Sequence, residues 1–137
     1  AADALGNRPI EAEQVMEELT TAADDEHWWV RRNAIEALGR SRKLNDRARI
    51  KVSACLRDED YRVRRNAAMA MRQSPEAVAD TIDGLAGMLT DENRYNRFYA
   101  VDALKQLGPS NDAAQTLLID YLFTARWCAL TNSESTF

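Results

Sequence analysis

The sequence predicts an all-α fold, a short right-handed solenoid of helical hairpins in three and a half units of 33 residues. Three observations carry this prediction. The chain matches itself at a constant offset of 33 residues. Its apolar residues recur at the three- and four-residue spacings of one helix face. Its composition, 45% hydrophobic and 29% charged with three Pro and five Gly among 137 residues, suits a folded helical chain rather than a linker or a disordered one.

The offset aligns Asp25 with Asp58 and Asp91, Arg31 with Arg64 and Arg97, Ala34 with Ala67 and Ala100, and Ala37 with Ala70 and Ala103. Upstream it relates Leu19, Val52, Leu85 and Leu118, and then Ala22, Cys55, Met88 and Tyr121. No unit of this size buries its apolar face alone, and stacking makes the core continuous.

Taken in chain order, Val15, Leu19, Ala22 and Ala23 form the apolar stripe of a first helix. Val30, Ala34, Ala37 and Leu38 form that of a second, which Gly39 ends. The second unit repeats the pair around Val52 and Cys55, then Ala67, Ala70 and Met71. In the third, Ser74-Pro75-Glu76 reads as N-cap, first turn and acidic N-terminus. Gly84 and Gly87 fall inside its first helix at about 1 kcal/mol each relative to Ala, which predicts a bend there or a close neighbour. Ala100, Ala103 and Leu104 mark its second helix, with Gly108 at the end. The fourth unit has only a first helix, from Leu117 through Phe123 to Trp127, apolar around more of its circumference than one packed face requires. Seven helices and no sheet result. They form one domain over 1–130, followed by a polar tail over 131–137.

Two helical repeats of similar period are excluded, because the tetratricopeptide Trp-to-Tyr pattern and the ankyrin Thr-Pro-Leu-His turn are both missing. What all three full units keep is a six-residue step from an Asp in the turn to an Arg in the second helix. The pairs are Asp25/Arg31, Asp58/Arg64 and Asp91/Arg97. This step resembles the HEAT repeat. Asp-Glu-Asp-Tyr-Arg-Val-Arg-Arg-Asn-Ala-Ala at 58–68, Trp-Trp-Val-Arg-Arg-Asn-Ala-Ile-Glu-Ala-Leu-Gly at 28–39 and Arg-Phe-Tyr-Ala-Val-Asp-Ala-Leu at 97–104 resemble the short HEAT-like repeats of the phycobilisome lyase family. The resemblance extends over residues 10–123. It implies second helices lining a concave face, and phycobiliproteins or their bilin chromophores as partners.

The Asp/Arg pairs read as scaffold rather than as acid/base chemistry. A turn Asp accepts helix N-terminal N–H groups, and the Arg pairs either with it or with the neighbouring unit's Asp, forming a ladder. The recurring alanines let helices approach closely. Cys55 occupies a core position, whereas Cys128 after Arg126-Trp127 is either a partly exposed reactive thiol or buried beneath the end of the stack. With one His and two distant Cys, no metal pattern, disulfide framework or His-based triad is expected, and a reducing cytoplasm fits. No apolar run reaches membrane-spanning length, and no signal-peptide layout opens the chain.

The positions outside core and ladder carry the functional expectation. Trp29, Arg32, Arg65, Met69, Tyr95, Phe98 and Tyr99 interleave aromatic rings with guanidinium groups on three successive second helices. They form either a groove for a carboxylate-bearing planar ligand or acidic partner helix, or rings folded over the turns. Charge is uneven: one Arg against eight acids in 1–30, thirteen bases against five in 31–72, four against nine in 73–137. The acidic flanks argue against a nucleic-acid duplex. At the open end, Tyr121, Phe123 and Trp127 form an interface to a second copy or another chain unless the tail folds back over them. The expected function is therefore a non-enzymatic protein-binding scaffold acting on phycobiliproteins or phycobilisomes. Its rivals are a bilin-binding lyase subunit and a scaffold unrelated to pigments. A bilin is the one cofactor the resemblance admits.

Overall fold

A computed structural model describes residues 2–41, 43–72 and 79–131, with side chains described between 11 and 124 of these. The described residues contain seven α-helices and no strand: α1 (Ala2–Ala22), α2 (Trp28–Gly39), α3 (Asp46–Ala54), α4 (Tyr61–Met71), α5 (Ala79–Met88), α6 (Arg94–Leu107) and α7 (Asp112–Thr131). Short 3-10 turns follow α3 at Cys55–Arg57 and α6 at Gly108–Ser110.

The α-solenoid has two layers. Hairpins α1/α2, α3/α4 and α5/α6 stack so that α1, α3, α5 and α7 form one layer and α2, α4 and α6 the other. Side-chain caps fix several helix starts. The Asn45 side chain accepts from the Ala48 N–H at 2.8 Å, Asp60 from Arg62 at 2.9 Å, and Asn93 from Tyr95 at 3.0 Å. The Ser74-Pro75-Glu76 start lies outside the described residues. One core runs between the layers through Ile35, Leu38, Val52, Leu56, Val63, Met71, Leu85, Met88, Leu104 and Leu107.

The small residues show why the register is strict. A Cβ on Gly39 would stand 3.0 Å from the Ala70 Cβ, so α2 and α4 meet closely at this point. Gly39 ends its helix without a left-handed backbone, and no described glycine has positive φ; its role is close packing. Gly84 is likewise tight, since a Cβ there would lie 2.8 Å from Leu56 Cδ1 and 2.9 Å from its Cβ. Among the described residues nothing lies within 4 Å of a Cβ added at Gly87. The fourth unit departs from the pattern. The position equivalent to the turn aspartates is Thr124, and α7 continues through it as unbroken helix.

Candidate protein-interaction surface

The surface is built on the ladder. In each turn the Asp side chain accepts the N–H two residues on: Asp25 from His27 at 2.8 Å, Asp58 from Asp60 at 2.9 Å and Asp91 from Asn93 at 2.9 Å. Each arginine then points Nη1 back at its own turn. Arg31 donates to the carbonyls of Asp25 and Glu26 at 2.9 and 3.0 Å, and Arg64 to those of Asp58 and Glu59 at 2.8 and 3.1 Å. The carboxylate that each takes belongs to the next unit. Arg31 Nε and Nη2 reach Asp58 at 2.9 and 3.0 Å, and Arg64 reaches Asp91 at 2.7 and 3.2 Å. These are two-pronged charge-assisted bonds in shielded positions, with the Arg64 side chain 15% and Asp91 5% exposed. Each arginine thus ties its own turn to its neighbour's.

Burial pushes the Asp91 carboxyl upward, but hydrogen bonds from Arg64, the Asn93 N–H and Asn96 outweigh it, and the group titrates below its ordinary 3.8. A folded-state pKa below the unfolded one gives stability that is present above the unfolded value and lost as pH falls through the folded one. Denaturant midpoints measured from pH 6 down to about 2.5 should therefore fall on the acid side of about pH 4. Asp91→Asn should show a shallower fall from a lower plateau. Parallel curves for the two proteins would mean that Asp91 does not set the acid limb.

The seven groove positions lie on the α2–α4–α6 layer in the expected order. Trp29, Tyr95 and Phe98 are each about half exposed, and Met69 is at the margin of exposure. Trp29 packs against the His27 ring at a centroid distance of 4.4 Å and edge-on to Trp28 at 6.1 Å. Phe98 and Tyr99 stand edge-to-face at 5.6 Å, and with Arg94 and Tyr95 they line a depression of about 300 Å3 on α6. A second depression of about 260 Å3 lies between α2 and α4, where Met69 meets Arg40, Asn66 and Arg72. Arg32 leans on Asn33 and Glu36. Arg65 makes no hydrogen bond or ion pair among the described residues. At the open end Tyr121 is half-buried and Phe123 largely exposed. The side chains of Trp127 and Cys128 lie outside those described, as does the tail over 132–137.

Several contacts were not legible in the repeat pattern. The Arg62 guanidinium sits 3.3 Å from the centroid of the Trp28 ring and pairs with Asp60 at 2.8 Å. Arg72 reaches across to Asp102 at 2.9 Å. Asn96, fully buried, donates to the Tyr61 carbonyl at 2.9 Å; its counterparts Val30 and Val63 are apolar, and that break in the column is the signal that marks it. The basic middle segment is largely consumed by pairing. Lys51 bonds Asp24 at 2.6 Å and Arg47 bonds Glu17, joining the basic second unit to the acidic first. Burial pushes the Cys55 thiol up to about 11, so it is a protonated core group at neutral pH rather than a nucleophile. Among the described residues no three His, Cys, Asp or Glu side chains are grouped to hold a metal ion. No described helix is long and apolar enough to cross a membrane.

The sequence profile of the HEAT repeats matches residues 1–72 and again 51–123. The chain belongs to the HEAT repeat family. Its HEAT array is also similar to the crystal structure of an engineered protein from the Northeast Structural Genomics Consortium. The TM-score is 0.63 at 19% identity, over 88% of this chain and 58% of that one. That likeness concerns the fold. The chain spans little more than half the length of the engineered protein. No curated protein matches the sequence. HEAT arrays commonly mediate protein–protein contacts, and the exposed α2–α4–α6 layer is the face on which this array has rings and guanidinium groups to offer.

Proposed function

We propose that this HEAT array is a non-enzymatic scaffold that binds an acidic surface of a partner protein across α2, α4 and α6. The observation that carries the reading is the row Trp29, Arg65, Phe98 and Tyr95. It places half-exposed rings on the same helical layer as a guanidinium without a partner among the described residues, on a two-layer frame. The resemblance of 28–39, 58–68 and 97–104 to phycobilisome lyase repeats supports phycobiliproteins as that partner. A second reading is favoured by the α6 depression: two tyrosines, one phenylalanine and Arg94 around about 300 Å3 suit one face of a bilin and a propionate.

The test is titration of phycobiliproteins and of free bilin at two ionic strengths. Arg32→Glu with Arg65→Glu should weaken protein binding at least tenfold, more so at low salt, with the melting temperature nearly fixed. Phe98→Ala should weaken it with little salt dependence. Tight bilin binding that only Phe98→Ala impairs would favour the chromophore reading. Unchanged affinity for every ligand in both variants would remove the α2–α4–α6 face as the binding surface.

A further inference from the structure

The α2–α4–α6 face has an order across its helices as well as along them. Positions 32, 65 and 98 are equivalent in the 33-residue register and hold Arg32, Arg65 and Phe98, one on each of these adjacent helices. The two steps between the helices are alike, because the same two-pronged ion pair spans each of them, Arg31 to Asp58 and Arg64 to Asp91. A ligand lying across the layer along this row therefore meets a guanidinium, a second guanidinium and then a ring at even intervals.

The row carries a surplus of positive charge. Its neighbouring carboxylates are already paired: Glu36 lies between Arg32 and Arg40 at 3.5 and 2.7 Å, and Asp102 bonds Arg72 at 2.9 Å. Arg65 makes no hydrogen bond or ion pair among the described residues. At the third position Phe98, 56% exposed, borders the α6 depression with Tyr95 and Tyr99, which gives an apolar seat.

The interval selects the conformation of the occupant. Packed helices stand about 8–10 Å apart. An α-helix returns a side chain to one face after four or seven residues, about 6 or 10.5 Å along its axis, and a β-strand after two or four, about 7 or 13 Å. A polyproline II segment does so after three residues, about 9.3 Å, and is alone in falling inside the interval. Trp29 and Tyr95, equivalent to each other one helical turn away and about half exposed, add the flat rings against which such segments pack.

We infer that the occupant of this face is an extended acidic segment of a partner protein in the polyproline II conformation. Its acidic side chains, three residues apart, meet Arg32 and Arg65, and an apolar side chain three residues further on enters the α6 depression. This rests on the α2–α4–α6 face being the binding surface, and adds the form and residue pattern of what binds there.

The probes are blocked peptides of one composition titrated into the full chain: Glu-Pro-Pro-Glu-Pro-Pro-Phe, its reversed sequence, and Glu-Glu-Pro-Pro-Pro-Pro-Phe, which breaks the spacing. One of the two spaced peptides should bind saturably and at least tenfold tighter than the third. Arg65→Gln should weaken that binding severalfold with strong salt dependence, and Phe98→Ala with little. Equal binding of all three peptides overturns the inference, as does tighter binding of a helical peptide with its acids seven residues apart. If no peptide binds up to millimolar concentration while a folded acidic protein binds and is lost in Arg32→Glu with Arg65→Glu, the linear occupant is overturned and the face stands. If that protein's binding is also indifferent to the arginine pair, the face falls with it.

Discussion

Arg64→Ala is expected to destabilise the chain by about 3–5 kcal/mol, the usual consequence of removing one partner from a shielded, two-pronged ion pair. The loss has two parts. Asp91, only 5% exposed, keeps its bonds from the Asn93 N–H and Asn96 but no longer has a counter-charge. The carbonyls of Asp58 and Glu59 lose the guanidinium that fastens the turn. Two comparisons make the prediction specific. Arg65→Ala, one position round the same helix and without a partner among the described residues, should stay within about 0.5 kcal/mol of the parent. Arg97→Ala, which clamps its own turn but holds no carboxylate among the described residues, should fall between them at about 1 kcal/mol. Urea unfolding with a shared slope measures all three. Similar losses for Arg64→Ala and Arg97→Ala would show that the carbonyl clamp, rather than the inter-unit carboxylate, carries the rung's stability.

The second large effect is a change of sign between two glycines on one helix. Gly84→Val should cost about 2–3 kcal/mol, because the new side chain must displace Leu56, which is fixed in the core with both Cδ1 and Cβ inside 3 Å of the added carbon. Gly87→Ala meets nothing within 4 Å and should stabilise α5 by about 0.5–1 kcal/mol through helix propensity alone. Thermal melts of the two single variants suffice. A stabilised Gly84→Val would mean that α5 does not sit against Leu56 as closely as the packing shows. A destabilised Gly87→Ala would mean that the outer face of α5 is covered.

Both predictions concern contacts between units, and the sequence was least explicit about these. It separated core from surface well. Ala34, Ala67 and Ala100 are buried where the register placed them, and Cys55 lies in the column of Ala22 and Met88 as a buried thiol. The two glycines of the third unit carried the same expectation and proved different, because a glycine marks the absence of a side chain without saying whether a neighbour uses the space. Asn96 interrupts an apolar column, and only the path of the chain past Tyr61 shows that its amide has a carbonyl to meet. The groove positions were legible as members of three successive second helices, α2, α4 and α6. The depression on α6 and the other between α2 and α4, lined by residues of both helices including Arg40 and Arg72, were not, since they depend on how side chains meet in the folded stack.

The 33-residue register, the helical hairpins and the members of the ladder all follow from the amino-acid order. Helix periodicity and repeat length are properties of the chain read along one dimension. The tertiary structure decided which aspartate each arginine takes. The candidates were the residue six positions back and the equivalent residue 27 positions on, and sequence spacing cannot rank them. In the folded chain the near turn offers its carbonyls to Nη1 and the far turn offers its carboxylate to Nε and Nη2, so one planar guanidinium satisfies both. The same geometry distinguishes Arg97 from its counterparts. A one-dimensional pattern makes the three arginines equivalent, but a carboxylate across the stack is supplied by packing, and beyond α6 the chain provides Thr124 in an unbroken helix instead.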